Sequence, residues 1–519
     1  MTQTSHPVNP SVRFSLLWLL ASGLILAAIT AAPITSLLNL FHDDSFFYMV
    51  IARNHAAGLG YSFDGLNMTN GFHPLWLWTL SSLGSFIALT GDQGIRVVVA
   101  LQTILSLSAA LMYVRLLGRY AVSSLIQGLF FLAYLFLCTL ADIGQESALY
   151  SFLVALIISI LFDGRKSGEA KASFLQCLAL MLLAMLTVLA RLDCVFLLGG
   201  IALALILVRR KAEAFVLLLG MTMGLAGVFG FNYLVFGHGY SISSWLKSGF
   251  DLNKALQILI PGLLVRVGLV YLLLAGALWQ LKRVDAFNGL RSNLSKVSFA
   301  TLVTLCVFLA FSAYFAVLFL EVSALGSWYF NQALGLSLFL YALSYQDHRE
   351  LLLRNAQKPV HFISFLPLVF ALVIGAALFS SKWMWARSSD ATLEMGQWLA
   401  ANTQPSDVIF QRDGAGAVSY FAQRPIINGD GLVNNMQYQV MLRSGRLCDY
   451  LKDQQVQYLV SNTFVNTSGL VQDYIFLWTK GLVSLPLTNV SSSDALYSTQ
   501  ANPQYRVFRL TEAGTGCQW

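Results

Sequence analysis

The sequence predicts a polytopic α-helical membrane protein of about eleven transmembrane helices, followed by an α/β domain outside the membrane. Composition predicts the first part. Hydrophobic residues make up 57% and charged residues 11% of the 519, and the mean hydropathy is +0.66, values outside the soluble range. Punctuation predicts the second. Long apolar stretches alternate with short linkers until residue 381, after which the composition turns polar. The formal charge of +7 does not indicate nucleic acid, because its Lys and Arg are spread over short loops, as membrane orientation requires.

Residues 1–12 are polar and the apolar stretch 13–36 is too long for a cleaved signal peptide, so it reads as a retained helix. Further apolar stretches lie at 74–90, 96–117, 121–140, 145–162, 172–190, 193–208, 213–236, 259–281, 297–320, 327–345 and 361–381. Basic linkers at Arg115/Arg119, Arg165/Lys166/Lys171, Arg209/Arg210/Lys211, Lys282/Arg283/Arg291/Lys296 and Arg349/Arg354/Lys358 belong in the cytoplasm by the positive-inside rule. Two crossings then separate each consecutive pair of basic linkers. With the N-terminus inside, 13–36 ends outside and 96–117 returns, so 74–90 cannot cross. It becomes an in-plane or re-entrant helix of a first external loop spanning 37–95. Counting 74–90 as a twelfth crossing would put five basic loops outside. The preferred topology suits a bacterial inner membrane, N-terminus cytoplasmic and C-terminal domain periplasmic.

The domains are therefore 1–381 in the membrane and 382–519 outside it. In the latter, 391–402 reads as a helix, Asp407–Gln411 as a strand, Ala415–Ala422 as a helix, Pro425–Asn428 as a strand, 436–454 as a helix, and Tyr458–Ser461 and Tyr505–Leu510 as strands, a βαβ rhythm. Cys138, Cys177, Cys194 and Cys306 lie in apolar runs. Cys448 and Cys517 lie in the exported third, where a disulfide between them is expected.

The first external loop carries Asp43 and Asp44 where the first helix emerges, with Asp44 and Ser45 placed to cap a helix that stops at Gly58. The same loop holds Arg53, His73 and Trp76. The later external turns hold Asp142, Gln145 and Glu146; Arg191 and Asp193; Ser241, Ser243 and Lys247; and Trp328 and Tyr329. Carboxylates and cations on one membrane face can bind a lipid-linked phosphate and activate a hydroxyl. Plainer readings stand beside these. Arg191 and Asp193 can simply pair, Lys247 can snorkel, and the tryptophans can belong to an interfacial belt. No Walker loop, dinucleotide fingerprint, zinc motif or nucleophile elbow is present.

The run Asp43-Asp44 with its aromatic helix, Ala52-Arg53-Asn54, Gly58-Leu59-Gly60, Phe63-Asp64-Gly65 and Thr69-Asn70-Gly71-Phe72-His73-Pro74-Leu75-Trp76 resembles the GT-C superfamily, in its bacterial arabinofuranosyltransferase-like branch. The resemblance implies a membrane glycosyltransferase that moves a sugar from a polyprenyl-phosphate donor to a cell-envelope glycan, lipid or protein acceptor. It implies an essential acid at Asp43 or Asp44 and a second acidic motif at Asp142 or Glu146, here preceded by Gln145 where relatives are expected to carry an apolar residue. Inverting displacement follows, with Asp43 or Asp44 as general base. Arg191, Lys247 and Arg53 are assigned to the donor phosphate, and His73, Trp76, Asp193, Trp328 and Tyr329 to substrate. The resemblance fixes no cofactor; a divalent cation, Mg²⁺ or Mn²⁺, held by Asp43 and Glu146 is left open. A flippase for lipid-linked glycans and a non-catalytic scaffold are the competing classes. The flippase predicts charges buried mid-helix, and the spans here are nearly free of them, with Arg266, near the outer third, the clear exception.

Overall fold

The computed structural model describes residues 10–140, 143–162, 172–250, 252–283, 299–322, 325–355, 366–385, 388–461, 474–477, 481–484 and 491–510. Its membrane part begins with α1 (Pro10–Thr30) and a short α2 (Ile34–Leu38). The first loop forms α3 (Asp43–Ala56) and α4 (Pro74–Gly84), and α5 (Gly91–Arg119) follows. Then come α6 (Ser124–Tyr134), which runs into a π-turn at Leu135–Thr139, α7 (Ser147–Phe162), α8 (Phe174–Ala190), α9 (Val195–Leu207), α10 (Lys211–Phe236) and the short α11 (Ile242–Lys247). The last helices of this part are α12 (Pro261–Arg283), α13 (Phe299–Glu321), α14 (Asn331–Asn355) and α15 (Leu366–Trp385). Among the described residues, four helices are long and apolar enough to cross a membrane, α5, α10, α12 (through Gln280) and α13, and six shorter apolar ones accompany them.

At 11 residues α4 spans roughly 16 Å, about half a bilayer core. Its Trp76, Leu77 and Leu80 are buried with α3 in a cluster separate from the main bundle core. The bundle itself packs through small residues. A β-carbon at Gly220 or Gly224 of α10 would strike the backbone of α8 at Met181 or Met185, so these glycines set the close approach of the two helices.

The two ends of the bundle differ. At one end Arg210 donates to the Leu161 carbonyl at 3.0 Å and stacks on Phe299, and Tyr120 donates to the Phe162 carbonyl. The turns before α3, α7 and α9, together with α11, gather at the other, where the polar residues collect.

The C-terminal unit starts with α16 (Ser388–Asn402). Its sheet contains β1 (Val408–Gln411), β2 (Ile426–Asn428), β3 (Val456–Ser461), β6 (Tyr497–Ser498) and β7 (Arg506–Arg509) in the order β2-β1-β3-β7-β6. β1 pairs in parallel with β2 and β3, whereas β7 is antiparallel to both β3 and β6. α17 (Ala415–Ala422) connects β1 to β2. The single helix expected over 436–454 is two, α18 (Met436–Arg443) and α19 (Leu447–Asp453), because Gly445 turns the chain at φ +74°. A hairpin of β4 (Tyr474–Leu477) and β5 (Gly481–Ser484) was not foreseen.

The sheet unit and the first loop share one apolar core. Phe46 and Met49 of α3 are buried with Val418 and Tyr420 of α17 and with Leu432. Gly71 lies so close to the Leu432 carbonyl that a β-carbon there would overlap it. Thr69 Oγ1 donates to the Asn434 carbonyl at 2.8 Å, and Asn67 Nδ2 to Gln454 Oε1 at 3.0 Å.

Candidate active site

The site starts at the N-terminus of α3. His42 is the N-cap and makes no side-chain cap bond, so the cap expected of Asp44 and Ser45 is absent. Asp43 and Asp44 instead occupy the first turn, and Ser45 Oγ donates to the Ile143 carbonyl at 2.9 Å. Successive helical residues point about 100° apart, so the two carboxylates part ways. The Asp43 carboxylate accepts from the amides of Gly416 at 2.9 Å and Ala417 at 2.8 Å, in the first turn of α17. Those amides have no partner within their own helix, and a helix N-terminus favours an anion. Burial lifts Asp43 to about 7; the Ala417 and Gly416 amides oppose this, and Asp44 and Asp413 add to it.

Asp44 lines a cleft. α3 also contributes Phe47 and Tyr48, and the turn before α4 contributes Gly71, Phe72 and His73. The turn before α7 supplies Gln145 and Glu146, and the start and end of α11 supply Ser241, Ser243 and Lys247. Trp328 and Tyr329 come from the turn before α14, and Leu432 from the loop after β2. Lys247 is half-buried; desolvation disfavours its charge, but Tyr329, Asp44, Asp430 and Glu146 around it outweigh that and raise its pKa. Burial pushes Asp430 to about 8, with Asp413 and Asp44 adding to the shift.

Beneath the cleft lies a saturated ion network. Arg191, 2% exposed, donates to Glu146 Oε1 at 2.6 Å and grips Asp193 through Nε at 3.0 Å and Nη2 at 2.7 Å. Tyr48 donates to Glu146 Oε2 at 3.0 Å and accepts from the His73 amide. Tyr314 donates to Asp193 Oδ2 at 2.8 Å, and the Arg191 guanidinium faces the Tyr329 ring at 5.1 Å. Burial lowers the pKa of Arg191, but Asp193 and Glu146 raise it well above the ordinary range overall; burial raises that of Asp193, and Arg191 brings it below the usual carboxylate range. His73 Nε2 is 3.9 Å from Glu146 Oε1, and burial depresses its pKa.

The structure thus brings Asp44, His73, Glu146, Lys247, Trp328 and Tyr329 to one cleft, with Arg191 and Asp193 behind them. Asp43 and Arg53 turn to the C-terminal unit instead; Arg53 Nη1 donates to the Tyr420 carbonyl at 3.3 Å. Trp76 is fully buried and donates to the Gly144 carbonyl at 3.0 Å. Asp142 lies outside the described residues. Cys448 is disulfide-bonded, and Cys517, its expected partner, also lies outside them. Tyr48 and Leu432 were not anticipated. Tyr48 could have been found, because it lies four residues after Asp44 on the same helical face; nothing in the sequence points to Leu432. Among the described residues no group of three or more His, Cys, Asp or Glu side chains is arranged to hold a metal.

Residues 383–508 match the model of a domain of unknown function, DUF8728. No curated protein sequence matches the chain. Among solved structures it is similar to ArnT from Cupriavidus metallidurans bound to undecaprenyl phosphate, at 13% identity and a TM-score of 0.52, covering 90% of this chain and 97% of that one. Against the apo form of ArnT the TM-score is 0.51 at 13% identity, with 87% and 93% covered. The oligosaccharyltransferase AglB from Archaeoglobus fulgidus gives 0.46 at 13% identity, over 86% and 70%. The chain has a GT-C fold, as the first-loop motifs implied.

Proposed function

We propose that this protein is a membrane glycosyltransferase that moves a sugar from a polyprenyl-phosphate donor to a hydroxyl of a cell-envelope glycan, lipid or protein. The observation that carries the reading is the pairing of Asp44 and Lys247 in one cleft on the GT-C fold. The ArnT structure it resembles holds undecaprenyl phosphate, the kind of leaving group the reaction requires. The acceptor oxygen attacks the anomeric carbon, its proton passes to Asp44, and the bond from that carbon to the phosphate oxygen breaks. The lipid phosphate departs as an anion beside Lys247, with inversion. A phosphate leaving group needs no protonation, so one carboxylate suffices, unlike the paired acids of glycoside hydrolysis. Positioned base catalysis contributes about 10²–10⁴-fold; charge stabilisation and orientation supply the rest.

This reading assigns the pair its separate roles. Asp44 is the base, and Asp43 ties the C-terminal unit to the first loop. Arg191 is already held by two carboxylates, so its task is to fix Glu146 and Asp193, and Lys247 is the cation for the donor phosphate. Asp43 and Glu146, the pair named for a bridging cation, are engaged with amides and with Arg191 respectively, and the proposed chemistry takes no step through a metal. The purified protein in lipid nanodiscs, given a panel of radiolabelled polyprenyl-phosphate sugars and cell-envelope extract, should transfer label. Lys247→Met should raise KM for the donor at least tenfold. Correctly inserted protein that transfers no sugar from any donor would refute the reading.

A further inference from the structure

Gln145 is 2% exposed and lines the cleft between Glu146 and the first loop, yet its side-chain Nε2 has no hydrogen-bond partner. Buried amides are rarely left this way, because an unmet buried donor is costly. The backbone around it is held from several sides. Gln102 Nε2 donates to the Gln145 carbonyl, and Gln102 Oε1 accepts from the Gly144 amide. Trp76 Nε1 and Ser45 Oγ donate to the carbonyls of Gly144 and Ile143. Gly144 sits at φ +97° with Ser45 filling the space a β-carbon would need, so any other residue there would be strained. Four hydrogen bonds from three side chains thus fix a strap that carries one unpaired amide at the wall of the cleft. Each oxygen of its neighbour Glu146 already accepts a hydrogen bond, from Arg191 and from Tyr48, whereas the Gln145 amide nitrogen has no partner.

We infer that Gln145 is a specificity-determining residue that hydrogen-bonds a sugar hydroxyl in the cleft. An amide both donates and accepts, as does a hydroxyl, whereas the charge of a phosphate is matched by Lys247 on the α11 side. Trp328 and Tyr329 add aromatic rings to the lining of the same cleft. This assignment rests on the glycosyltransferase reading and deepens it. Because the Gln145 side chain makes no hydrogen bond within the protein, replacing it by an apolar side chain of similar size removes no hydrogen bond that holds the fold.

The test is steady-state transfer by wild type, Gln145→Met and Gln145→Leu in nanodiscs, using a polyprenyl-phosphate sugar that wild type accepts, its series of deoxy analogues, and the matching deoxy series of the acceptor glycoside. Both variants should keep the wild-type thermal midpoint or exceed it. They should lose about 10- to 100-fold in kcat/KM on the fully hydroxylated pair. They should lose nothing on the one deoxy analogue lacking the hydroxyl that Gln145 reads. That analogue falling in the donor series assigns the hydroxyl to the donor sugar, and in the acceptor series to the acceptor. Wild-type efficiency in both variants overturns the inference and leaves the glycosyltransferase reading standing, as does an equal loss on every analogue. No transfer by wild type overturns both.

Discussion

Asp43 and Asp44 are neighbours in sequence and opposites in the fold. The pair was visible from the sequence as two acids at a membrane exit, but their division of labour was not, because the amides that hold Asp43 lie 373 residues away. Asp44→Asn should therefore lower kcat by about 10²–10⁴-fold with an unchanged thermal midpoint. Asp43 makes a second, pH-dependent prediction. Its folded pKa stands at about 7 against 3.8 for the free side chain, so the folded protein holds this proton more tightly than the unfolded chain. Its contribution to stability is fully present below about pH 4 and is lost as pH rises through 7. Thermal midpoints measured from pH 5 to 8 should carry this downward component, and Asp43→Asn should flatten it. An identical slope in the variant would count against the assignment.

At the scale of elements, helices were legible wherever apolar length and turn residues agreed. The end of α3 near Gly58 was readable from that glycine, and α17 was read with its observed bounds, Ala415–Ala422. The break between α18 and α19 was missed because both halves carry helical periodicity and only Gly445 interrupts it. The β4–β5 hairpin was missed for want of a strong turn signal between its strands. The polar turns were located by parity, but the way Arg191 saturates two of their carboxylates is tertiary, as Glu146 lies 45 residues from it. Arg191→Met should leave Glu146 and Asp193 uncompensated and cost about 3–5 kcal/mol. The expected readout is a lower thermal-unfolding midpoint in detergent, and Glu146→Gln in the same background should recover part of the loss.

At the scale of the molecule, the change in composition near residue 381 marks a new architecture, but it does not mark an independent core. The carboxyl ends of β1 and β2, where open α/β sheets bind ligands, face the first loop, and Asp43 sits at the adjacent helix N-terminus. The sheet unit also supplies Leu432 to the cleft. Docking of the two parts is thus built into the site. Gly71→Ala would force the first loop off the Leu432 carbonyl, so the variant should show faster proteolytic release of the C-terminal unit together with loss of transfer. Release without loss of transfer would separate docking from activity.

The most direct test of the account compares transfer of radiolabelled sugar from polyprenyl phosphate by wild type, Asp44→Asn and Asp43→Asn, with membrane insertion verified for each. The account predicts that Asp44→Asn lowers transfer by about 10²–10⁴-fold at an unchanged melting temperature, while Asp43→Asn retains measurable transfer and alters the pH dependence of stability. Full transfer by Asp44→Asn, or abolition confined to a stable Asp43→Asn, would contradict it.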